Sequence, residues 1–194
     1  MLAGRKIITT IVLLAGLMAC TASTTDTAPK SAPAIPALAN HAAGATATML
    51  NVNGEPTGAV TLYKGSEGVV LRLSVGGLTP GVHGMHFHTK GTCEDPDGGF
   101  KATGGHVMPH GKPHGFMHPE GPHAGNLPNL IVGADGTALV ELYSDIVTLN
   151  DGPAALLDAD GSTLIIHTNP DDHVTQPIGG AGARVACGVI QAAR

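Results

Sequence analysis

The chain has 194 residues and a formal net charge of −5, and only 13% of its residues are charged and 3% aromatic. About 25% charged residues is typical, so the chain is charge-poor, and its negative balance excludes a strongly basic surface for nucleic acid. Its 11 histidines outnumber its 10 lysines and arginines together, and this surplus calls for a functional explanation.

The first twenty residues have the features of a bacterial export signal. Arg5 and Lys6 precede an uncharged stretch over residues 7–19, which is too short to span a bilayer but is typical of a signal peptide. The stretch ends in Leu17-Met-Ala-Cys20, which resembles the lipobox, a motif whose cysteine becomes a lipidated N-terminus. We therefore expect an exported lipoprotein of the cell envelope, facing the periplasm or the cell surface and anchored to a membrane through Cys20. An ordinary cleaved secretion signal with an incidental cysteine is the alternative.

The remaining chain divides into a tether and one domain. Residues 20–44 follow the signal peptide of residues 1–19 and are rich in Thr, Ala, Pro and Ser without hydrophobic periodicity. This composition is typical of a flexible linker, which here would hold the domain of residues 45–194 away from the membrane.

Short strand-like runs separated by glycine-containing turns recur through the domain. No window has the sustained 3.6-residue period of a helix, so we expect an all-β fold. Eight such runs in one domain predict an antiparallel sandwich or barrel. The predicted strands cover residues 45–52, 58–63, 69–75, 84–89, 130–132, 138–142, 163–168 and 185–191.

Eight of the eleven histidines lie between residues 83 and 123, largely in a long segment without strand character. A loop of this length inside a compact domain is usually functional or disordered. His86 and His88 lie two apart on a predicted strand, so their imidazoles share one face. His167 ends a distant strand and is a third candidate ligand. Nitrogen ligands without thiolates suit Cu(II) or Zn(II) and do not distinguish them.

Six segments, in order along the domain, resemble the copper/zinc superoxide dismutases, and the resemblance covers essentially all of residues 45–194. His114 is one of these matches, eight residues beyond the second segment. The other five are Gly81-Val-His-Gly-Met-His-Phe-His88, Gly104-Gly-His-Val-Met-Pro109, Gly121-Pro-His-Ala-Gly-Asn-Leu-Pro-Asn129, Ile165-Ile-His-Thr-Asn-Pro-Asp-Asp172 and Gly182-Ala-Arg-Val-Ala-Cys-Gly-Val-Ile190.

The resemblance implies an eight-stranded antiparallel Greek-key barrel or sandwich with long metal-binding and active-site loops. It implies that the protein converts superoxide to oxygen and hydrogen peroxide by Cu(II)/Cu(I) cycling. The implied copper ligands are His86, His88, His106 and His167, and the implied zinc ligands are His106, His114, His123 and, in the fourth position, Asn126.

Further roles follow from the same resemblance. His106 would be an imidazolate shared by both metals and a proton donor, and Asp171 would link His86 to His114. Arg184 would guide the anionic substrate to copper, as the only cation expected beside it, and Cys93 and Cys187 would form a disulfide. The resemblance leaves a monomer and a homodimer equally open.

The fourth zinc position departs from the family, which has Asp where this chain has Asn126. A neutral amide oxygen is a weaker zinc ligand than a carboxylate, so we expect weaker zinc binding. The alternatives are that three imidazoles hold zinc well enough, or that His110 or His118 completes the site. Otherwise we expect these two histidines and His173 to be solvated loop residues. The alternative is that they help to capture copper when metal is scarce.

Two other functions compete with dismutation. A copper-binding lipoprotein that buffers or delivers metal without turnover would explain the extra histidines and Asn126. It would not explain Arg184, because a copper store needs no guide for anions. A metal-free structural domain would not explain the complete set of histidine ligands.

Overall fold

The computed structural model describes residues 38–194, and all eight predicted strands are present. The predicted signal peptide of residues 1–19 and Cys20 lie outside the described residues, as does the predicted tether apart from residues 38–44. The elements are two short 3-10 helices, Leu38–Asn40 and Lys101–Thr103, and the strands β1 Ala45–Asn51, β2 Pro56–Lys64, β3 Val69–Val75, β4 Gly81–His83, β5 Met85–His88, β6 Leu130–Val132, β7 Ala138–Ser144, β8 Ser162–His167 and β9 Arg184–Ala192.

The strands form one large antiparallel sheet and one small ribbon. The seven-stranded sheet has the order β5-β8-β9-β1-β2-β3-β7, and β4 pairs with β6. The sheet curls, because β6 contacts β7 at one edge while β4 runs into β5 through Gly84 at the other. The all-β prediction is therefore confirmed, with β4 as an additional ninth strand.

Alternating side chains of strands such as β1 and β3 build the main core. Every second residue of β3, from Val69 to Val75, is buried and the residues between them are partly exposed. On β1, Ala45, Ala47 and Met49 point inward in the same way. This period of two is the pattern of a sheet with one face on the core and one facing solvent.

Strands β5 and β8 are instead buried along their whole length. Met85 and Phe87 of β5 enter the main core, which places His86 and His88 on the opposite face. The long loop after β5 covers that face, so it shields these histidines from solvent.

A second hydrophobic cluster and a disulfide hold the loop on the sheet. Phe100 of the loop packs with Ile165 of β8 and with the pair Cys93–Cys187. The disulfide joins residues 94 apart in sequence, with a Cα–Cα distance of 6.0 Å. It ties the loop to β9. Within residues 38–194, neither short helix has the length or apolar character needed to cross a bilayer.

Candidate metal centre

Two strands and the long loop bring four histidines together. His86 and His88 come from β5 and His167 from the end of β8, which pairs with β5. His106 lies in loop backbone that forms an isolated bridge with His88. One ring nitrogen from each of the four lies within 4.8 Å of the others. We call this set the copper cluster.

Hydrogen bonds fix which ring nitrogen of each strand histidine faces the cluster. The Nδ1–H of His88 donates to the carbonyl oxygen of Gly104 at 3.0 Å, and that of His167 donates to the carbonyl oxygen of Gly182 at 3.1 Å. The Nε2–H of His86 donates to Asp171 at 2.8 Å. In each neutral ring the other nitrogen then carries a lone pair.

The lone pairs of the copper cluster are buried and have no hydrogen-bond partner. Buried polar atoms without partners are rare and costly, and a cation would satisfy all four at once. Four imidazole nitrogens suit Cu(II), so these residues fit copper. The unpartnered atoms are His86 Nδ1, His88 Nε2, His106 Nε2 and His167 Nε2.

Burial keeps these rings neutral. It lowers the pKa of His88 to about 2, with the positive charge of Arg184 as the next cause. It lowers the pKa of His167 to about 4, and the pKa of His106 lies far below its usual range for the same reason. Neutral imidazole is the form that binds metal, so the cluster is ready for a cation at neutral pH.

A second cluster, the zinc cluster, consists of His106, His114 and His123. Nδ1 of His106 lies 3.0 Å from Nε2 of His123, which lies 3.4 Å from Nδ1 of His114. His106 therefore faces the copper cluster with Nε2 and the zinc cluster with Nδ1, the arrangement of an imidazole that bridges two metals. Three nitrogen donors fit Zn²⁺.

Asn126 lies beside the zinc cluster, but His110 and His118 do not. The Asn126 side chain is buried, with Nδ2 3.2 Å from Nδ1 of His114. His110 is exposed, and Nδ1 of the partly exposed His118 accepts the backbone N–H of Glu120. Neither histidine belongs to a metal-binding group of the described residues.

Asp171 connects the two clusters. Its Oδ2 accepts from His86 at 2.8 Å and its Oδ1 from His114 at 2.9 Å. Burial acts to raise the pKa of Asp171, but these bonds and one from the His173 backbone outweigh it and hold the pKa well below its usual range. Partners of this kind fix the orientation of metal-binding rings.

Two residues that the sequence analysis did not assign to this connection also hold Asp171. The Asn129 side chain donates to the carbonyl oxygen of Asp171 and accepts its N–H, both at 2.8 Å. His173, one of the three histidines without a role, has Nδ1 3.5 Å from Oδ2 of Asp171. Its ring packs against Phe116. No local pattern in the sequence marks either contact.

A cavity of about 470 Å³ opens onto the copper cluster, and both His88 and Arg184 line it. The Arg184 guanidinium donates to the carbonyl oxygens of Phe100 at 2.6 Å and Gly104 at 2.8 Å, and to the Thr103 hydroxyl at 2.9 Å. Burial lowers the pKa of Arg184 from its usual value and Asp95 opposes that effect. The bonds to the loop hold one positive charge beside the histidines.

A second cation, which the sequence did not predict, lines the same cavity. Lys101 lies in the 3-10 helix of the loop, exposed at the cavity wall. The expectation that Arg184 alone supplies positive charge there is therefore corrected. Lys101 lies only five residues before His106, which could have indicated a position near the metal centre. Spacing alone, however, does not show which way a loop lysine points.

The antiparallel β-sheet carries paired copper and zinc clusters that share one imidazole, and a cationic cavity opens on the copper side. These features are those of a copper- and zinc-dependent oxidoreductase. The sequence model of one family, described as "Copper/zinc superoxide dismutase (SODC)", matches residues 56–190. The chain belongs to this family. It is a superoxide dismutase with copper and zinc as cofactors and superoxide as substrate.

Individual relatives agree with the family. The chain is 52% identical over 150 residues to "Superoxide dismutase [Cu-Zn]" of Caulobacter vibrioides, covering 76% of this chain and 85% of the relative. It is 41% identical to "Superoxide dismutase [Cu-Zn] 2" of Aquifex aeolicus, covering 75% and 85%. The crystal structure of a SOD-like protein from Bacillus subtilis superposes with a TM-score of 0.72 at 39% identity, covering 76% and 98%.

Proposed function

We propose that the chain dismutates superoxide at a copper ion held by the copper cluster, with a zinc ion in the zinc cluster. The observation that carries this assignment is the set of four unpartnered ring nitrogens beside a cavity lined by Arg184. All these residues come from one chain, so the proposal holds for a monomer and for a homodimer.

The reaction consumes two superoxide anions and two protons and yields one oxygen and one hydrogen peroxide. Copper, when bound, supplies the one-electron couple, and zinc supplies the charge that favours deprotonation of the bridging ring. Arg184 attracts the anion and orients it beside the histidines. Nε2 of His106 takes up a proton and donates it to the reduced substrate, and solvent supplies the second proton.

The competing function is copper buffering or delivery without turnover. Such a protein has no use for a guanidinium that three loop atoms hold in the cavity. Steady-state dismutation by copper- and zinc-loaded wild type, Arg184→Lys and Arg184→Ala, with copper measured on each sample, separates the two functions. We expect equal copper contents and rates that fall from wild type to Lys and fall furthest in Ala, since Lys retains charge without the planar contacts. Copper-loaded wild type without dismutation would establish the buffer instead.

We also propose that the protein is exported and anchored to a membrane through a lipid on Cys20. Support comes from Arg5 and Lys6 before the uncharged residues 7–19, and from the lipobox-like Leu17-Met-Ala-Cys20. The Cys93–Cys187 disulfide is of the kind that persists in oxidising compartments. Residues 21–44 would then serve as the tether.

Membrane fractionation of the full chain tests this anchor. Wild type should sediment with membranes and yield a lipidated N-terminal peptide that begins at Cys20. Cys20→Ser should release the protein from the membrane without loss of the domain. A wild-type protein whose N-terminus is unlipidated would contradict the anchor.

A further inference from the structure

Asn126 is fixed by its backbone at the wall of the zinc cluster. It forms an isolated bridge with His86 of β5, and its N–H donates to the carbonyl oxygen of His123 at 3.2 Å. Only 2% of its surface is exposed. Its side chain therefore has few orientations, and in the observed one it contacts His114 of the zinc cluster.

Hydrogen bonding selects one of the two orientations of the Asn126 amide. Oδ1 accepts the backbone N–H of Gly115 at 3.2 Å, and this N–H is only a donor. The flipped amide would place its own N–H groups against that donor. The NH2 group therefore faces Nδ1 of His114, at 3.2 Å. An amide nitrogen with this role has no lone pair to offer a metal.

The Gly115 donor cannot easily move away. Its φ is +106°, and a Cβ at this position would lie 2.0 Å from the carbonyl oxygen of His173. The N–H of Met117 donates to that same carbonyl at 3.0 Å. Close backbone packing thus holds the peptide that selects the orientation of Asn126.

The His114 ring presents the matching acceptor. Its Nε2–H donates to Oδ1 of Asp171 at 2.9 Å, so Nδ1 carries the lone pair. Asn126 can donate to this lone pair, which is then satisfied without a cation. A carboxylate at position 126 would instead set an oxygen lone pair against it, and the repulsion would favour a bound metal.

We propose that Asn126 weakens zinc binding, because zinc must displace the hydrogen bond that Asn126 donates to His114. The zinc cluster would offer zinc three protein donors, and it has a stable metal-free form in which Asn126 donates to His114. Zinc therefore competes with an internal hydrogen bond. The inference rests on the proposed function only in assigning zinc to His106, His114 and His123.

Asn126→Asp tests the proposal, because it exchanges the donor for a carboxylate of the same size. Asn150→Asp is the matched control, since it adds the same charge at an exposed position. Zinc affinity of each full-chain protein, freed of metal, is measured by competition with a chromophoric chelator, and thermal unfolding of the metal-free proteins is recorded alongside.

We expect Asn126→Asp to tighten zinc binding at least tenfold and to lower the metal-free Tm by several degrees, while Asn150→Asp changes neither. Equal zinc affinities of wild type and Asn126→Asp would overturn the proposal. So would an unchanged or higher metal-free Tm of Asn126→Asp. Both measurements are independent of dismutation, so loss of the proposed catalytic function would leave these outcomes unaffected.

Discussion

The Nε2–H of His86 donates to Oδ2 of Asp171 at 2.8 Å, and both side chains are completely buried. This bond leaves Nδ1 of His86 as the nitrogen that faces the copper cluster. The other oxygen of the same carboxylate holds His114 of the zinc cluster. Asp171 therefore sets the ring orientation at both metal positions.

Replacing Asp171 should weaken both metal positions. In Asp171→Asn the amide can accept from only one of the two rings, so one of them loses its fixed orientation. Loss of such partners typically costs 10–100-fold in metal affinity. Copper and zinc affinities of the purified variant measure the effect. Asp172→Asn is the control, because Asp172 is exposed and bonds only nearby loop atoms; equal affinities of the two variants would contradict this role.

The neighbouring glycines Gly179 and Gly180 provide a second test of the role of the Asp171 carboxylate. A Cβ on Gly179 would lie 1.7 Å from Oδ1 of Asp171 and 2.8 Å from Nε2 of His114. Gly180 has a similar positive φ, but a Cβ there would meet nothing within 4 Å. Gly179→Ala and Gly180→Ala should both lose about 1 kcal/mol to backbone strain, and only Gly179→Ala should also lose metal affinity. Equal metal affinities in the two variants would contradict the displacement of Asp171.

Lys101 should assist capture of superoxide through its charge. Lys101→Gln should lower kcat/KM several-fold at low ionic strength, and the difference should shrink at high salt because exposed charges are screened. Stopped-flow rates over a salt series measure this. Lys64→Gln, on β2 and outside the cavity, should match wild type. A salt-independent deficit in Lys101→Gln would show a structural role instead.

The buried histidines should make the metal-free fold sensitive to acid. His88 and His167 have folded pKa values of about 2 and about 4, whereas both lie near 6.5 in an unfolded chain. Below that value the unfolded state binds more protons, so stability is lost as the pH falls from about 7 towards 4. Each histidine contributes up to ~1.4 kcal/mol per pH unit. Denaturant unfolding at several pH values should show a shallower dependence of stability on pH for His167→Gln than for wild type, and equal dependences would contradict this role of the buried ring.

Strand prediction was accurate where alternation is regular and weak where it is absent. The period of two along β1 and β3 identifies them directly. Strand β4 has three residues, two of them exposed, and its pairing with β6 depends on a partner about fifty residues away. Periodicity within a short window contains no information about such a distant partner.

The metal site, too, could be predicted from the sequence only in part. The spacing of His86 and His88 predicted a shared face, and the family resemblance supplied the other histidines that the structure brings together. The orientation of each ring, the clamp of Asn129 on Asp171 and the position of Lys101 depend on how the loop folds back on β5. The amide orientation of Asn126 likewise depends on Gly115, eleven residues away.

The most direct test of the account is the dismutation rate of the zinc-loaded full chain as copper is added in steps, with bound copper measured on each sample. The copper cluster predicts a rate that rises in proportion to bound copper and levels off at one copper per chain. It also predicts that His88→Gln binds copper poorly and shows little activity. Full binding of one copper per chain without dismutation would contradict the central claim.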